Sequence, residues 1–335
     1  MAAVVEYDRI YGAIIGQAVG DALGAPTEGM TRQEIAEKYG WVADFVSDDP
    51  VGTDDTEYAV LTAQTLLRYG HELTPAKVTR NWLDTLAGQQ GGFNRGGFSE
   101  MDAIHNLRAG LVAPETGSDN HELWSDGSAM RIAPVGAFCA GDPAEAARLA
   151  AIDAQVSHSR DGIYCAQAIA AAVAVALVAT SWEAVVQAGL DAVPSDSWSA
   201  RTISTAVGIG SRASGLSHAV DDLYEAISIF CYPWADVAPE ATALAFGIFA
   251  AARGEYTESV LGGVNIGRDA DTIAAMSGSL AGALRGAEAV PERWRQRINT
   301  VRGQCIQAVV GTDLADLARQ LHANLAADSR ERQSQ

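Results

Sequence analysis

The sequence predicts an all-α fold, and three observations carry that expectation. Hydrophobic residues make up 48% of the 335 positions and aromatics only 7%, so the core must be built from Ala, Leu, Val and Ile. Alanine at that density favours helix, because it loses the least side-chain freedom on entering one. Apolar residues also recur at helical spacing along most of the chain, whereas long alternating β-branched runs are scarce.

The elements follow in order. A first helix is expected over 10–23, where Ile10, Ile14, Ala18 and Asp21 fall at helical spacing and Gly16 and Gly20 allow close backbone contact. A second, over 56–69, places Val60, Leu61, Leu66 and Leu67 on its apolar side. Alanine-rich segments over 144–154, 162–179, 182–193, 200–213 and 238–253 continue the pattern, and 273–284 and 293–310 complete it. Clusters of Gly, Pro and Asp at 43–52, 88–97, 114–127 and 231–239 read as the loops between them. No composition shift marks a boundary, so residues 1–327 read as one domain and the polar residues 328–335 as a flexible tail.

Charge and cysteine usage narrow the functional classes. A formal charge of −19 argues against nucleic acid or an anionic membrane as the main partner. A phosphate-bearing substrate would need local help from backbone amides, arginines or metals. The most apolar run, 166–180, is shorter than the ~20 residues that span a bilayer and reads as a buried helix. Cys139, Cys165, Cys231 and Cys305 are widely spaced and form no CxxC motif, which reads as buried thiols in a reducing cytoplasm. Residues 1–9 are charged and lack an apolar signal core, so a cytoplasmic protein is expected. Nothing in the pattern suggests a coiled coil or an obligate apolar face, and a monomer is expected.

Two acidic clusters of the same build lie far apart in the chain: Gly52-Thr53-Asp54-Asp55-Thr56 and Gly267-Arg268-Asp269-Ala270-Asp271-Thr272. Each follows a glycine and opens an alanine-rich helical stretch. Each offers two carboxylates and threonine hydroxyls, the hard oxygen set that Mg²⁺ and Mn²⁺ prefer. Helix capping is the competing explanation, since Asp and Thr oxygens accept first-turn amides. Capping needs only one or two oxygens per helix, however, and crowding the surplus carboxylates without a cation is costly.

Four stretches carry a resemblance to a known family: 12–24 (GAIIGQAVGDALG) with Glu28, 52–56 (GTDDT), 126–136 (DGSAMRIAPVG) and 265–275 (NIGRDADTIAA). In this order and register they resemble the ADP-ribosylglycohydrolases, including the dinitrogenase-reductase-activating glycohydrolase. The resemblance implies a single orthogonal multi-helix bundle with a central binuclear Mg²⁺ or Mn²⁺ site. Carried over by motif, Thr53, Asp54 and Asp55 hold one cation; Asp269, Asp271 and Thr272 hold the other, with Asp271 bridging. Two cations ~3.5–4 Å apart can clamp neighbouring oxygens, and a ribose cis-diol presents such a pair.

The implied reaction is hydrolysis at C1 of a ribosyl group, through an oxocarbenium-like transition state. Glu28 is the expected acid–base carboxylate, working beside Asp55. One departure stands out: in the loop 92–100, Arg95 falls where nitrogenase-regulating members carry an aspartate. That argues against an arginine-linked substrate and leaves Glu100 and Asp102 as alternative acids. Arg95 and Gly97 of this loop are expected to contact substrate.

Asp126, Gly127, Ser128 and Met130 stand where the family has an Asn-Gly loop that meets the diphosphate. An Asp126 cap paired with Arg131 is the alternative there. His158 is expected to contact a ribose or phosphate, or else to serve the core. Tyr232 and Trp234 are expected to stack on adenine, or else to pack. The substrates so implied are an ADP-ribosylated protein or a small-molecule riboside. A nucleotide sugar, or a binding role without turnover, remains the competing reading.

Overall fold

The computed structural model describes the backbone of residues 5–90 and 93–334, and side chains as far as residue 326. The chain is all-α, with no β-strand among the described residues. Its first half comprises α1 (Tyr7–Gly24), α2 (Arg32–Tyr39), α3 (Asp54–Tyr69), α4 (Pro75–Trp82), α5 (Phe98–Arg108), α6 (Glu115–Ser118), α7 (Gly127–Met130), α8 (Ala133–Phe138) and α9 (Pro143–Ala154). The second comprises α10 (Asp161–Ala176), α11 (Trp182–Asp191), α12 (Trp198–Arg212), α13 (Leu216–Ile227), α14 (Ala238–Ala251), α15 (Tyr256–Ile266), α16 (Ala270–Arg285), α17 (Glu292–Arg295) and α18 (Leu314–Ser334).

Glycine spacing decides how the two central helices meet. Gly12, Gly16, Gly20 and Gly24 recur every four residues of α1, so they line one ridge. A Cβ at Gly12 would lie 2.2 Å from the Gly282 carbonyl oxygen, and one at Gly20 would lie 2.2 Å from that of Ala274. At Gly16 and Gly24 the nearest backbone oxygens, of Gly278 and Ala270, would be 2.5 Å away. The α1 and α16 backbones therefore touch along most of their length. Asp21, at the C-terminal end of α1, is thereby set against the N-terminus of α16. Around this pair, α10, α14 and α15 bury nearly all their alanines and branched aliphatics.

Two short helices carry local capping signals at their starts. Thr31 and Glu34 form a reciprocal capping box at the start of α2. Thr74 caps α4, with Pro75 at the first helical position. Apolar segregation is weak in α2 and α5 but strong in α4 and α13, and none of the four was among the expected helices.

The C-terminal region departs from expectation. A helix over 293–310 does not form; α17 ends at Arg295, and a short 3₁₀ turn occupies Gln307–Val309. Its amides are claimed elsewhere. The Glu57 carboxylate of α3 accepts the backbone N–H groups of Gln304, Cys305 and Ile306, at 2.6, 2.8 and 2.5 Å. Val301 and Thr312 pair across the following turn. The last helix, α18, lies beyond the expected one and continues to Ser334, through most of the segment expected as a tail. Gln335, and the side chains of that segment, lie outside the described residues.

The expected buried helix holds over 166–176, the largely buried end of α10, while Val178 and Thr180 beyond it are exposed. Of the cysteines, Cys139, Cys165 and Cys305 are buried, but Cys231 is exposed, because its loop lies on the surface. No helix among the described residues is long and apolar enough to cross a membrane.

Candidate metal centre and its rim

The two acidic clusters meet at the end of the α1–α16 pair. One carboxylate oxygen from each of Asp21, Asp55 and Asp271 lies within 4.8 Å of the others, and all three side chains are buried. Thr272 Oγ1 donates to Asp55 Oδ2 at 3.3 Å, a direct link between the clusters. Asp21 belongs to neither cluster. It holds the start of α3 from across the interface, accepting the Thr53 amide (2.8 Å), the Thr53 hydroxyl (2.8 Å) and the Thr56 amide (3.1 Å). The Thr56 hydroxyl donates to it as well.

Capping does not explain the acids. Thr53 and Asp269 occupy the N-cap positions of α3 and α16, and neither makes a side-chain cap hydrogen bond. Asp55 Oδ1 and Asp271 Oδ1 are buried without a hydrogen-bond partner among the described residues. Such orphaned carboxylate oxygens are expensive unless a proton or a cation satisfies them. An all-oxygen set with surplus negative charge suits a hard divalent cation, and this triad can hold one.

The electrostatics agree. Burial first, then Asp21 and Asp271, raise the Asp55 carboxyl well above its ordinary range. Burial and then the charges of Glu28 and Asp269 do the same to Asp271. Asp54 is raised by burial, then by Glu100, Asp21 and Glu28. Asp21 is pushed only to about 6, because the four threonine donors offset part of its burial. Asp269 faces Asp126 and Asp271, with carboxyls in hydrogen-bonding contact, and burial again dominates its upward shift. A divalent ion would remove this mutual repulsion by holding the carboxylates ionised.

The remaining expected residues fall into two groups, one on the rim and one behind the centre. On the rim, Glu28 is exposed in the turn after α1 and pairs with Arg95 at 3.4 Å, each side chain 44% exposed. Arg95 also donates to the Ala25 carbonyl at 3.3 Å. Gly97 gives its amide to Asp54 Oδ2 at 3.1 Å, so Asp54 leans toward the Arg95 loop and away from the triad. Trp234 meets Phe98 edge to face at 5.3 Å, and both rings are about half exposed. Tyr232 lies beside Trp124 at 5.3 Å and reaches Glu122 at 3.4 Å.

Behind the centre lie residues whose polar atoms serve the framework. Ser128 donates to the Gly162 carbonyl at 2.8 Å. The Met130 carbonyl accepts from Gln17 at 2.7 Å, and its side chain is buried. His158 is 1% exposed, with Nε2 on the Ser125 hydroxyl at 3.0 Å and Nδ1 on that of Ser157 at 2.7 Å. Burial and the Arg131 charge push its pKa well down, so the ring is neutral. In this arrangement both its nitrogens are engaged by serines. Asp126 is buried with Oδ2 unpartnered, and Gly127 packs its Cα against the Glu100 carboxylate.

The suggested Asp126–Arg131 pair is absent. Arg131 is fully buried and bonds Glu100 Oε1 and Asp153 Oδ2, both at 2.9 Å, and Ser157 at 3.0 Å, with Trp82 under its guanidinium. Of the alternative acids, Glu100 is thus consumed by Arg131 and Ser99, while Asp102 takes His121. Sequence reasoning missed two participants, Asp21 and Phe98. Asp21 had a signal, an acid at an apolar-face position of the first helix. Phe98 had none beyond its place beside Gly97.

Comparison with known proteins follows the same lines. The family model for ADP-ribosylglycohydrolase matches residues 2–331. An uncharacterized protein of Archaeoglobus fulgidus is 34% identical over 86% of this chain and 90% of its own. The ADP-ribosylarginine hydrolase Tri1 of Pseudomonas putida is 25% identical over 87% of this chain and 74% of its own. Among solved structures, a chain of an ADP-ribosylglycohydrolase-related protein complex covers 95% of this chain and 98% of its own at TM-score 0.67 and 24% identity, a likeness of fold. A family match across nearly the whole length, joined to an all-α fold that brings its acidic motifs together, makes this chain a member of the ADP-ribosylglycohydrolase family.

Proposed function

We propose that the protein is a Mg²⁺- or Mn²⁺-dependent glycohydrolase that cleaves the C1 bond of ADP-ribosyl groups on a protein or small-molecule acceptor, working as one domain and as a monomer. The observation that carries this reading is the buried Asp21, Asp55 and Asp271 triad with its two orphaned oxygens. Asp55 and Asp271, with Thr53, Asp54, Asp269 and Thr272 around them, would hold two cations. When bound, these would fix the ribose hydroxyls and stabilise charge at the reacting sugar.

The chain's own residues supply the rest. Glu28 sits at the mouth, close enough for its charge to act on Asp54, Asp269 and Asp271. It takes the proton from the water that adds to C1 and returns one to the departing nitrogen or oxygen as the C1 bond breaks. Its partner Arg95 is an exposed, weakly held ion pair of a kind that contributes only about 0–1 kcal/mol, so it can turn to an anionic substrate at little cost. Phe98 and Trp234 offer the aromatic surface beside it.

The test is to incubate the protein with ADP-ribosylated arginine, serine and small-molecule ribosides in Mg²⁺ and to identify products by mass spectrometry. Released ADP-ribose supports the reading. Glu28→Gln is expected to lower kcat roughly 10²–10⁴-fold with folding unchanged. The buried carboxylate of Asp126, its Oδ2 without a partner, favours a second reading, a small N-riboside or nucleotide sugar with no diphosphate at that loop. Turnover of such compounds alone would select it.

A further inference from the structure

Arg268 stands in the second acidic loop, immediately before Asp269, and three observations set it apart. Its backbone is left-handed, at φ 59°, a region that favours glycine, and Gly267 precedes it at φ 75°. Its guanidinium leaves the acidic loop altogether. Nε meets Glu240 Oε1 at 2.5 Å, and one terminal nitrogen meets Glu240 Oε2 at 3.2 Å and the Trp234 carbonyl at 3.2 Å. Glu240 is fully buried at the start of α14, and its other bond, at 2.7 Å, accepts the Ile229 amide.

The backbone of the same residue binds a third segment. The Arg268 amide donates to the Met30 carbonyl at 2.9 Å, and its carbonyl accepts the Gly29 amide at 2.8 Å. One residue thus joins the turn bearing Glu28, the loop bearing Asp269 and Asp271, and the loop bearing Tyr232 and Trp234. That last loop is also tied to Asp126, whose amide donates to the Asp236 carbonyl at 3.0 Å.

We propose that Arg268 is a positioning residue that couples cation binding at the acidic loop to ordering of the Ile229–Trp234 loop at the rim. The proposal rests on the cation reading of the triad. The residue type fits the task, because a planar fork can reach a carboxylate and a carbonyl on separate segments at once, which an ammonium cannot. Arginine also sits where glycine would be easier for the backbone, so the side chain is what justifies the strained conformation. A cation that fixes Asp269 and Asp271 fixes the adjoining Arg268 backbone, and the guanidinium carries that restraint to the Trp234 carbonyl.

Hydrogen exchange read by mass spectrometry over residues 229–236, with and without Mn²⁺, tests this without relying on turnover. In the unmutated protein Mn²⁺ is expected to slow exchange there. Arg268→Gly suits the local backbone and keeps its hydrogen bonds. It should bind Mn²⁺ within about threefold of normal by electron paramagnetic resonance, melt lower in chelator because buried Glu240 loses its charge partner, lose the Mn²⁺-dependent slowing, and bind ADP-ribose roughly tenfold more weakly. Arg268→Lys, which can still meet Glu240, should fall between the two.

If Arg268→Gly binds Mn²⁺ and keeps the slowing, the coupling is wrong while the cation reading stands. If Mn²⁺ binding itself collapses, Arg268 shapes the acidic loop and transmits nothing. If the unmutated protein binds no Mn²⁺, the cation reading fails and the coupling with it.

Discussion

Asp55 and Asp271 are held in a place that suits them only when something positive is present. Each has a buried oxygen with no partner, and each is raised by burial and by neighbouring carboxylates. Replacing either with asparagine should therefore have two effects of opposite sign. Activity in Mg²⁺ should fall by orders of magnitude, because a charged ligand is gone. The melting temperature in chelator should rise or hold, because one member of a repelling set has been neutralised. Activity assays beside melting curves would check both. A variant that melts lower in chelator yet turns over normally would show these acids to be structural.

Asp21 joins the triad and holds the start of α3, and the sequence reading assigned it neither place. Its position on the apolar face of the first helix was legible. Its service as the cap of α3, through Thr53 and Thr56, depends on contacts across 32 and 35 residues and was not. For His158 the motif left a ligand contact and a core role open, and the fold engages its ring nitrogens with Ser125 and Ser157.

The α1–α16 pair is what turns two distant clusters into one centre. Because Gly20 lies one residue from Asp21 and meets backbone, Gly20→Ala has no flexible neighbour to push aside; the nearest atom is the Ala274 carbonyl oxygen. Forcing the helices apart should cost about 1–3 kcal/mol, the usual range for overpacking. Because the same shift separates Asp21 from Asp271, Mn²⁺ affinity should fall with it. Denaturant melts and a Mn²⁺ titration of the variant would show whether the two losses travel together. A destabilised variant with unchanged Mn²⁺ affinity would mean the centre does not depend on this contact.

Helices with an apolar stripe or a dense alanine run were legible because burial writes a period into the sequence. Those covering 10–23, 56–69, 162–179, 238–253 and 273–284 reappear in α1, α3, α10, α14 and α16. The short α2 carries its signal in the Thr31–Glu34 capping box instead, and α4, amphipathic over only eight residues, starts at Thr74–Pro75. The segment 293–310 failed for a different reason. Its local pattern is compatible with helix, but Glu57, far away in sequence, takes three consecutive amides and fixes another conformation.

Taken together, the buried acids should give the protein an unusual dependence on pH when cations are removed. A carboxyl whose folded pKa lies above its unfolded value binds its proton more tightly when folded. Its stabilising contribution is therefore present below the unfolded pKa and is lost as pH rises through the folded one. For Asp21 that window runs from 3.8 to about 6. Asp54, Asp55, Asp269 and Asp271 shift in the same direction and extend the loss upward. In chelator the melting temperature should fall as pH rises from about 4 to 7, and saturating Mg²⁺ should restore it at neutral pH by binding only the folded form. A flat profile, insensitive to Mg²⁺, would go against this picture.

The negative charge of the chain as a whole, −19, will attract cations loosely wherever acids cluster, so melting shifts alone do not locate a site. A titration of Mn²⁺ into chelator-stripped protein at physiological salt, followed calorimetrically for the unmutated chain and for Asp55→Asn and Asp271→Asn, goes to the centre directly. The expected result is tight, saturable binding of two Mn²⁺ ions per chain, lost or cut to one site in each variant. Weak, salt-screened binding that is the same in all three proteins would contradict the metal centre and the hydrolysis built on it.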